Sequence, residues 1–538
     1  MAPGAYDQRI PLHRTEIFPL PTMKIDESTI IGNAEVTETI FSEVGLEMGS
    51  DDFQETVKLI AGDQLSIARL RALARNRAGH DSFSNSYLWA VVIPGIFHYK
   101  MAATHGFMEL FYGSNPSPRN PGSLAFHNNV LDRTPITITS MPPFRESRNL
   151  IFISLYARVL HCLELVSRCE DLADYAANVT FEVLKFHAGE IVAQFTDGKR
   201  VDRMRTARAA ELHADIPNLS SRQLTEGDMV FENAILLFRD ALILRLLTDT
   251  VKCGDSGRLV LVFKILALYY RGCGRTKYAQ EVLFVLHNIT HVWPEPLRNV
   301  VLQNWLVNPT GKPNAWVEVD LMQEHFNFWI KTIYKAHGPA ASWEWLAMIS
   351  PCIDILRRLA TEINTTLGAK QGTKHTTPNL ERDIGYLMAS LRRYEVYQYN
   401  PGREIDDGSD SNPVVADSLT IGLQRLSEPL GEFNTSLAKL KQRCKAIPLI
   451  GGAYAHVHGA SDDSEEGVSA THVRPPVDTA LAGVDHRGDP EGGLREDESE
   501  EESGDEDDDL EPQALMSLET AEDVALDMDA ADFVYEDE

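Results

Sequence analysis

The sequence predicts a mixed, predominantly α-helical body followed by an acidic, disordered C-terminal tail. Three observations carry that reading. Two β-rich runs alternate with two helical patterns between Thr56 and Tyr112, which is an α/β signature. From Gly122 to about residue 450 nearly every apolar pattern has the helical period. The charge is unevenly placed: of 79 Asp and Glu and 50 Lys and Arg, residues 451–538 hold 29 of the acids but only Arg474, Arg487 and Arg495 of the bases. A near-neutral body therefore carries a polyanionic tail too poor in apolar surface to offset its ordering entropy.

The elements follow in order. Residues 1–26 are Pro-rich and irregular, and 27–47 read as a helix with Ile40, Val44 and Leu46 partly periodic. The run TVKLIA at 56–61 is a short strand ending at Gly62 and Asp63. Residues 64–77 then place Leu65, Ile67, Leu70, Leu73 and Ala74 at helical spacing. LWAVVIPGIF at 88–97 is a second buried strand, and 98–112 return to a helix. These form a small α/β part at 27–121. The helical part, 122–450, is read as helices over 149–169, 170–187, 229–252, 257–270, 277–291, 297–306, 321–337, 339–363, 380–397 and 418–445. Gly254, Gly272, Gly274, Pro294 and Pro309 mark breaks between them.

Several classes are excluded. The most apolar stretches, 87–97 and 259–270, fall short of the ~20 residues a bilayer requires, and Lys264 interrupts the second, so no membrane partner is expected. MAPGAYDQRIPLHR has no apolar signal-peptide core. Six cysteines without CxxC pairing suit a reducing compartment, so an intracellular site, nuclear or cytoplasmic, is expected. His161, Cys162 and Cys169 lack the two closely spaced ligand pairs of a structural zinc site.

Two features bear on chemistry. Asp63 sits where a strand meets a helix, which suits either a Mg²⁺-holding carboxylate or the N-cap of the following helix, the cap being the favoured reading. In EVDLMQEHFNFWIK (318–331), Asp320, Glu324, Asn327 and Lys331 fall at intervals of four, three and four. They form one polar stripe among Leu321, Phe328, Trp329 and Ile330. Such a stripe needs a metal, a ligand or complementary side chains; equally, Asp320 with Gln323 fits a capping box. His98 and Lys100 open the helix after the second strand, where His98 suits a binding role or a core hydrogen bond.

Other patterns have plainer readings. Arg69, Arg71, Arg75 and Arg77 share a helix; Lys199, Arg200, Arg203, Arg205 and Arg208 form a second basic group; Lys439, Lys441, Arg443 and Lys445 form a third. Any of these fits a phosphate contact or a solvated face. His287 and His291 lie four apart without the Glu of HExxH. Gly254 to Gly257 (GDSG) and Gly272 to Lys277 (GCGRTK) read as turns between helices rather than a protease string and a P-loop. In the tail, Ser499 and Ser503 precede acids, and 510–535 mix acids with Leu515, Leu518, Val524, Leu526 and Phe533, a composition suited to folding on a partner.

Several strings in order resemble one family: IDES at 25–28 with Gly32, Asn33 and Ala34, AGDQLS at 61–66, PGIFHYKMA at 94–102, RGCGRTKYA at 271–279, NWLVNPTG at 304–311, DLMQEHFNFWIK at 320–331 and KHTTP at 374–378. Together they resemble the DUF6589 family, a domain of unknown function abundant in fungal genomes. The resemblance implies a transposon-derived protein whose α/β part is an RNase H-like remnant interrupted by a large helical insertion. It implies Asp63 as a strand-end ligand and Glu324 as the helix ligand, with Mg²⁺ bound only if the ancestral centre is retained. Relatives resemble one another in carrying Asp where this chain has Ile96, and in an upstream strand with an Asp-Asn pair. The expectation is therefore a chain shortened relative to its family, without activity and without a cofactor.

Three functions stand open from the sequence: an inactive transposase-derived protein contacting nucleic acid through its body, an active metal-dependent nuclease using Asp63 and Glu324, and a helical interaction module whose tail recruits basic proteins by charge. The residues singled out for binding are His98, Asp320, Asn327, Lys331, Arg71 and Arg75, with Asp63 and Glu324 as catalytic and metal residues.

Overall fold

The alternation of short strands and helices before Phe111 builds a βαβ unit. The computed structural model describes residues 8–77, 82–113, 118–138, 142–213, 224–338, 341–368, 380–405 and 414–444, all in one unit of the chain. The expected tail at 451–538 and the KHTTP turn at 374–378 lie outside the described residues. An irregular arm from residue 8 leads to α1 (Ile30–Glu43), capped by Thr29, and to α2 (Asp51–Gln54). Strand β1 (Lys58–Gly62) then passes through α3 (Gln64–Asn76) and α4 (Phe83–Ser86) to β2 (Ala90–Pro94). The two strands pair in parallel, from Lys58 opposite Ala90 to Gly62 opposite Pro94. Parallel neighbours need such a crossover, and α3 supplies it. Phe41, Phe53, Tyr87 and Trp89 close a small aromatic core with Ile60 and Ala90 of the strands at its edge.

From β2 the chain enters α5 (Ile96–Phe111), nearly all of whose residues are buried. The helical part continues through α6 (Leu124–Val130), α7 (Phe144–Ser167), α8 (Leu172–Asn178), α9 (Phe181–Phe195), α10 (Gly198–His213), α11 (Met229–Lys252), α12 (Ser256–Gly272) and α13 (Thr276–His287). A single π turn (Asn288–Val292) precedes α14 (Glu295–Gln303). A two-stranded antiparallel pair, β3 (Leu306–Val307) and β4 (Val317–Glu318), leads into α15 (Val319–His337). The last helices are α16 (Trp343–Ile349), α17 (Ile353–Thr366), α18 (Leu380–Arg393), α19 (Ser418–Gln424) and α20 (Ser427–Cys444). The main core lies where α5, α7, α11 and α12 meet, around Phe107, Leu150, Leu236, Phe238, Phe263 and Tyr270. Burial of each such side chain contributes roughly 1.5–3 kcal/mol before entropy is charged.

Several expected helices are divided. The stretch 170–187 is two helices because Thr180 accepts from the Val183 N–H and starts α9 afresh. The stretch 339–363 breaks at Ser342, which caps α16, and at a 3-10 turn holding Pro351. The stretch 418–445 breaks between Gln424 and Ser427. Helix α7 starts at Phe144, just after Pro143, rather than at 149.

The expectation that the apolar stretches all fall short of a bilayer span does not hold for α7. At 24 residues it is, among the described residues, long and apolar enough to cross a membrane by length and composition. Its setting here is the protein core. Arg158 on α7 is fully buried and donates to Ser154 Oγ at 3.0 Å, to the Tyr397 hydroxyl at 3.0 Å and to the Gly122 carbonyl at 2.6 Å.

Candidate functional site

The carboxyl ends of β1 and β2 lie side by side, joined where Gly95 N–H donates to Gly62 O at 2.6 Å. Each strand turns there into a helix. At the first turn Asp63 Oδ1 accepts the Ser66 N–H at 2.7 Å and caps α3, as the favoured reading of Asp63 expects. At the second turn Gly95 opens α5 without a capping side chain of its own.

The missing cap comes from Asp320, 223 positions beyond Phe97. Asp320 Oδ1 accepts the Phe97 N–H at 3.0 Å, and Oδ2 accepts the His98 N–H at 3.1 Å. The same Oδ2 lies 3.0 Å from His98 Nδ1. An ionised carboxylate only accepts, so Nδ1 carries the proton in this contact. Negative charge at a helix N-terminus is favoured by the free N–H groups and the helix dipole. Gly95 makes the approach feasible: a Cβ there would stand 2.5 Å from Asp320 Cγ. Its φ of −69° is ordinary, so the demand for glycine is one of space.

This arrangement corrects the capping-box expectation. The N-cap of α15 is Glu318, which makes Asp320 the second helical residue rather than the cap. Its carboxylate serves α5 instead. Gln323 is exposed and donates to Asn327 Oδ1 at 3.3 Å.

One turn beyond Asp320, Glu324 approaches the other ring nitrogen, with Oε1 4.0 Å from His98 Nε2. Burial depresses the His98 pKa. The hydrogen bond and charge of Asp320, with the charges of Asp63 and Glu324, more than reverse that, so the ring titrates above its ordinary value. Burial raises the pKa of Glu324, and His98, Lys331 and the Asn327 hydrogen bond only partly pull it back. Asp63, Asp320 and Glu324 are thus gathered around one histidine.

A second buried pair lies beside the first. Lys100 Nζ sits 2.6 Å from Glu318 Oε1, with both side chains almost entirely enclosed and the Phe97 and Phe144 rings near the ammonium. Lys100 is among the residues the sequence singles out, whereas Glu318 and Gly95 are not. A lysine inside the apolar run IFHYKMAA is the signal that an acid must meet it.

The remaining residues singled out lie elsewhere or at the rim. Lys331 is exposed and reaches the site only through its charge on Glu324. Arg71 pairs with Glu281 of α13 and covers the Phe284 ring, and Arg75 lies one turn further along α3. In the second basic group Arg205 and Arg208 both pair with Glu232, and Arg200 covers Phe231. His161 bonds Glu164, and the Cys169 thiol faces the Asp171 carbonyl. His287 and His291 lie ring to ring, with His287 against Phe433. Asp255 caps α12 and Gly274 takes a left-handed turn at φ 81°, as expected of two inter-helix turns.

The acids of the site spend oxygens on N–H donors before any Mg²⁺ is met. That cation requires several oxygens in near-octahedral array. Both oxygens of Asp320 accept from N–H donors and one oxygen of Asp63 from the N–H it caps, and burial raises the pKa of Glu324.

The model of a family of unknown function, DUF6589, matches residues 1–375. No curated protein and no solved structure matches the chain.

Proposed function

The chain belongs to the DUF6589 family, whose membership carries no activity with it, and we propose from the site that this protein is not an enzyme and that the Asp320 carboxylate clamps α15 onto the βαβ unit. The observation that supports this is the double engagement of Asp320: both oxygens accept from α5, at 3.0 and 3.1 Å. A carboxylate that activates water or holds a cation must turn lone pairs toward substrate. Those of Asp320 turn into the fold, and the Lys100–Glu318 pair repeats the same linkage between β4 and α5.

The clamp is proposed to descend from a transposon-derived, RNase H-like centre. Asp63 at a strand end and Glu324 on a helix both act on His98, which supports that descent. Nucleic-acid contact through the body is the partner this ancestry suggests, with the exposed Lys331 of α15 close enough to act on Glu324 and free to meet phosphates. Residues 451–538 are proposed to recruit basic proteins by charge, an interaction that deleting them removes.

One observation favours the second reading, a metal-dependent nuclease using Asp63 and Glu324. Glu324 is less enclosed than Asp320 and lies 4.0 Å from His98 Nε2. Incubation with supercoiled DNA in Mg²⁺ or Mn²⁺ separates the two. The clamp reading expects no nicking above that of Glu324→Ala, with salt-sensitive DNA retention. Metal-dependent nicking abolished in Glu324→Ala establishes the nuclease instead.

A further inference from the structure

Helix α17 turns its apolar face outward. At about 100° of rotation per residue, Ile355, Leu356, Leu359, Ile363 and Leu367 share one third of the helix circumference. A helix normally buries such a stripe, yet these side chains are 62, 38, 50, 48 and 76% exposed. The one buried residue of the helix, Ile353, packs with Met322 and Phe326 of α15. It points about 120° round the helix from Leu359. So α15 holds α17 by a different side and leaves the stripe open. A contiguous apolar patch of this kind marks an interaction surface.

We infer that α17 packs antiparallel on α17 of a second copy of this chain, across a two-fold axis beside Leu359. Two patterns select this occupant, and they agree on the register. Reversal about that axis sets Leu359 against its own counterpart and Ile355 and Leu356 against Ile363 of the second copy. It also sets Leu367 against Cys352, which is exposed as well. The charges beside the stripe are Arg358 and Glu362, one turn apart on the same edge. In an antiparallel two-fold pair the same edge of each helix meets, so Arg358 of each copy lies level with Glu362 of the other. In a parallel pair that edge faces Ala360 and Asn364, which carry no charge to answer it. A partner bearing acids alone, as residues 510–535 do, matches Arg358 but opposes Glu362. Arg358 Nη2 meets Asp354 of its own helix, but the side chain is 57% exposed and its other donors can serve Glu362. Glu362 is itself exposed. One helix from each copy covers less than the roughly 800 Å² per partner of a standard interface, so the dimer is weak and reversible.

Sedimentation equilibrium of the full chain over a range of concentrations tests this, with melting curves to follow folding. Leu359→Glu sets two carboxylates beside the axis. It should raise the dimer dissociation constant at least tenfold and leave the melting of the dilute monomer unchanged. Arg358→Glu alone should weaken the dimer several-fold, and adding Glu362→Arg should restore it, because the reversed charges meet in the same register. These exposed charge variants decide the matter if Leu359→Glu does not fold. A monomer at every concentration overturns the proposal. So does a dimer indifferent to Leu359→Glu, or one weakened by Arg358→Glu that Glu362→Arg does not restore.

Discussion

Asp320 holds His98 twice: one carboxylate oxygen accepts from its backbone N–H at 3.1 Å and from its ring Nδ1 at 3.0 Å. The other oxygen takes the neighbouring Phe97 N–H. One side chain thus supplies the cap of α5, sets the histidine tautomer and fixes α15 across the strand ends.

Asp320→Ala should be among the most destabilising single changes in the βαβ region. It leaves two buried N–H groups and the imidazole without their acceptor, a loss of about 2–5 kcal/mol. Urea unfolding of both proteins measures it, and Asp320→Asn should recover only part of the loss because the amide keeps one acceptor oxygen without the charge.

Gly95→Ala should fail through crowding. The added methyl meets Asp320 Cβ and Cγ at 2.6 and 2.5 Å, so the clamp must shift, costing about 1–3 kcal/mol. The same substitution in an Asp320→Ala background should cost much less, and a double-mutant cycle reads that coupling.

How much of this was legible can be judged residue by residue. The strand ends, the cap at Asp63 and the polar stripe of α15 follow from local periodicity and spacing, so they could be read. That Asp320 caps α5 rather than its own helix could not, because capping signatures are local and this bond spans more than 220 residues. The Lys100–Glu318 pair was half-legible: a lysine in an apolar run announces a partner without naming it. The basic groups misled for a related reason. Arg205 and Arg208 look like a solvated stripe, yet both turn inward to Glu232, a carboxylate placed by a different helix.

Stability should fall with rising pH through two windows. His98 has a folded pKa raised above its unfolded value near 6.5, so its contribution is complete below about pH 6.5 and is lost as pH climbs through the folded value. Glu324 is also raised, so the native state binds its proton more tightly than the unfolded chain does. Its contribution likewise fades above about pH 4.3. Melting curves against pH should show His98→Gln removing the upper slope and Glu324→Gln the lower one.

The family match ends at residue 375, but the fold does not. Arg403 donates at 2.7 and 2.8 Å to the fully buried Asp228, Arg392 pairs with Glu164, and Leu387, Leu391, Val396 and Tyr397 enter the main core. A chain ending at 375 removes the Arg403 partner of the buried Asp228, at roughly 3–5 kcal/mol, and takes four side chains out of the main core. It should be unfolded or aggregated, whereas a chain ending at 444 should melt cooperatively, as circular dichroism can establish.

The melting temperature with and without 10 mM Mg²⁺ or Mn²⁺ bears most directly on whether the acids around His98 form a clamp or a metal centre. A bound metal stabilises the native state by RT ln(1 + [L]/Kd), which is about 2.7 kcal/mol at a hundred times Kd. With Asp320 spent on α5, no upward shift is predicted for the wild type beyond that of Asp63→Ala and Glu324→Ala. A rise of several degrees that either variant abolishes would contradict the account.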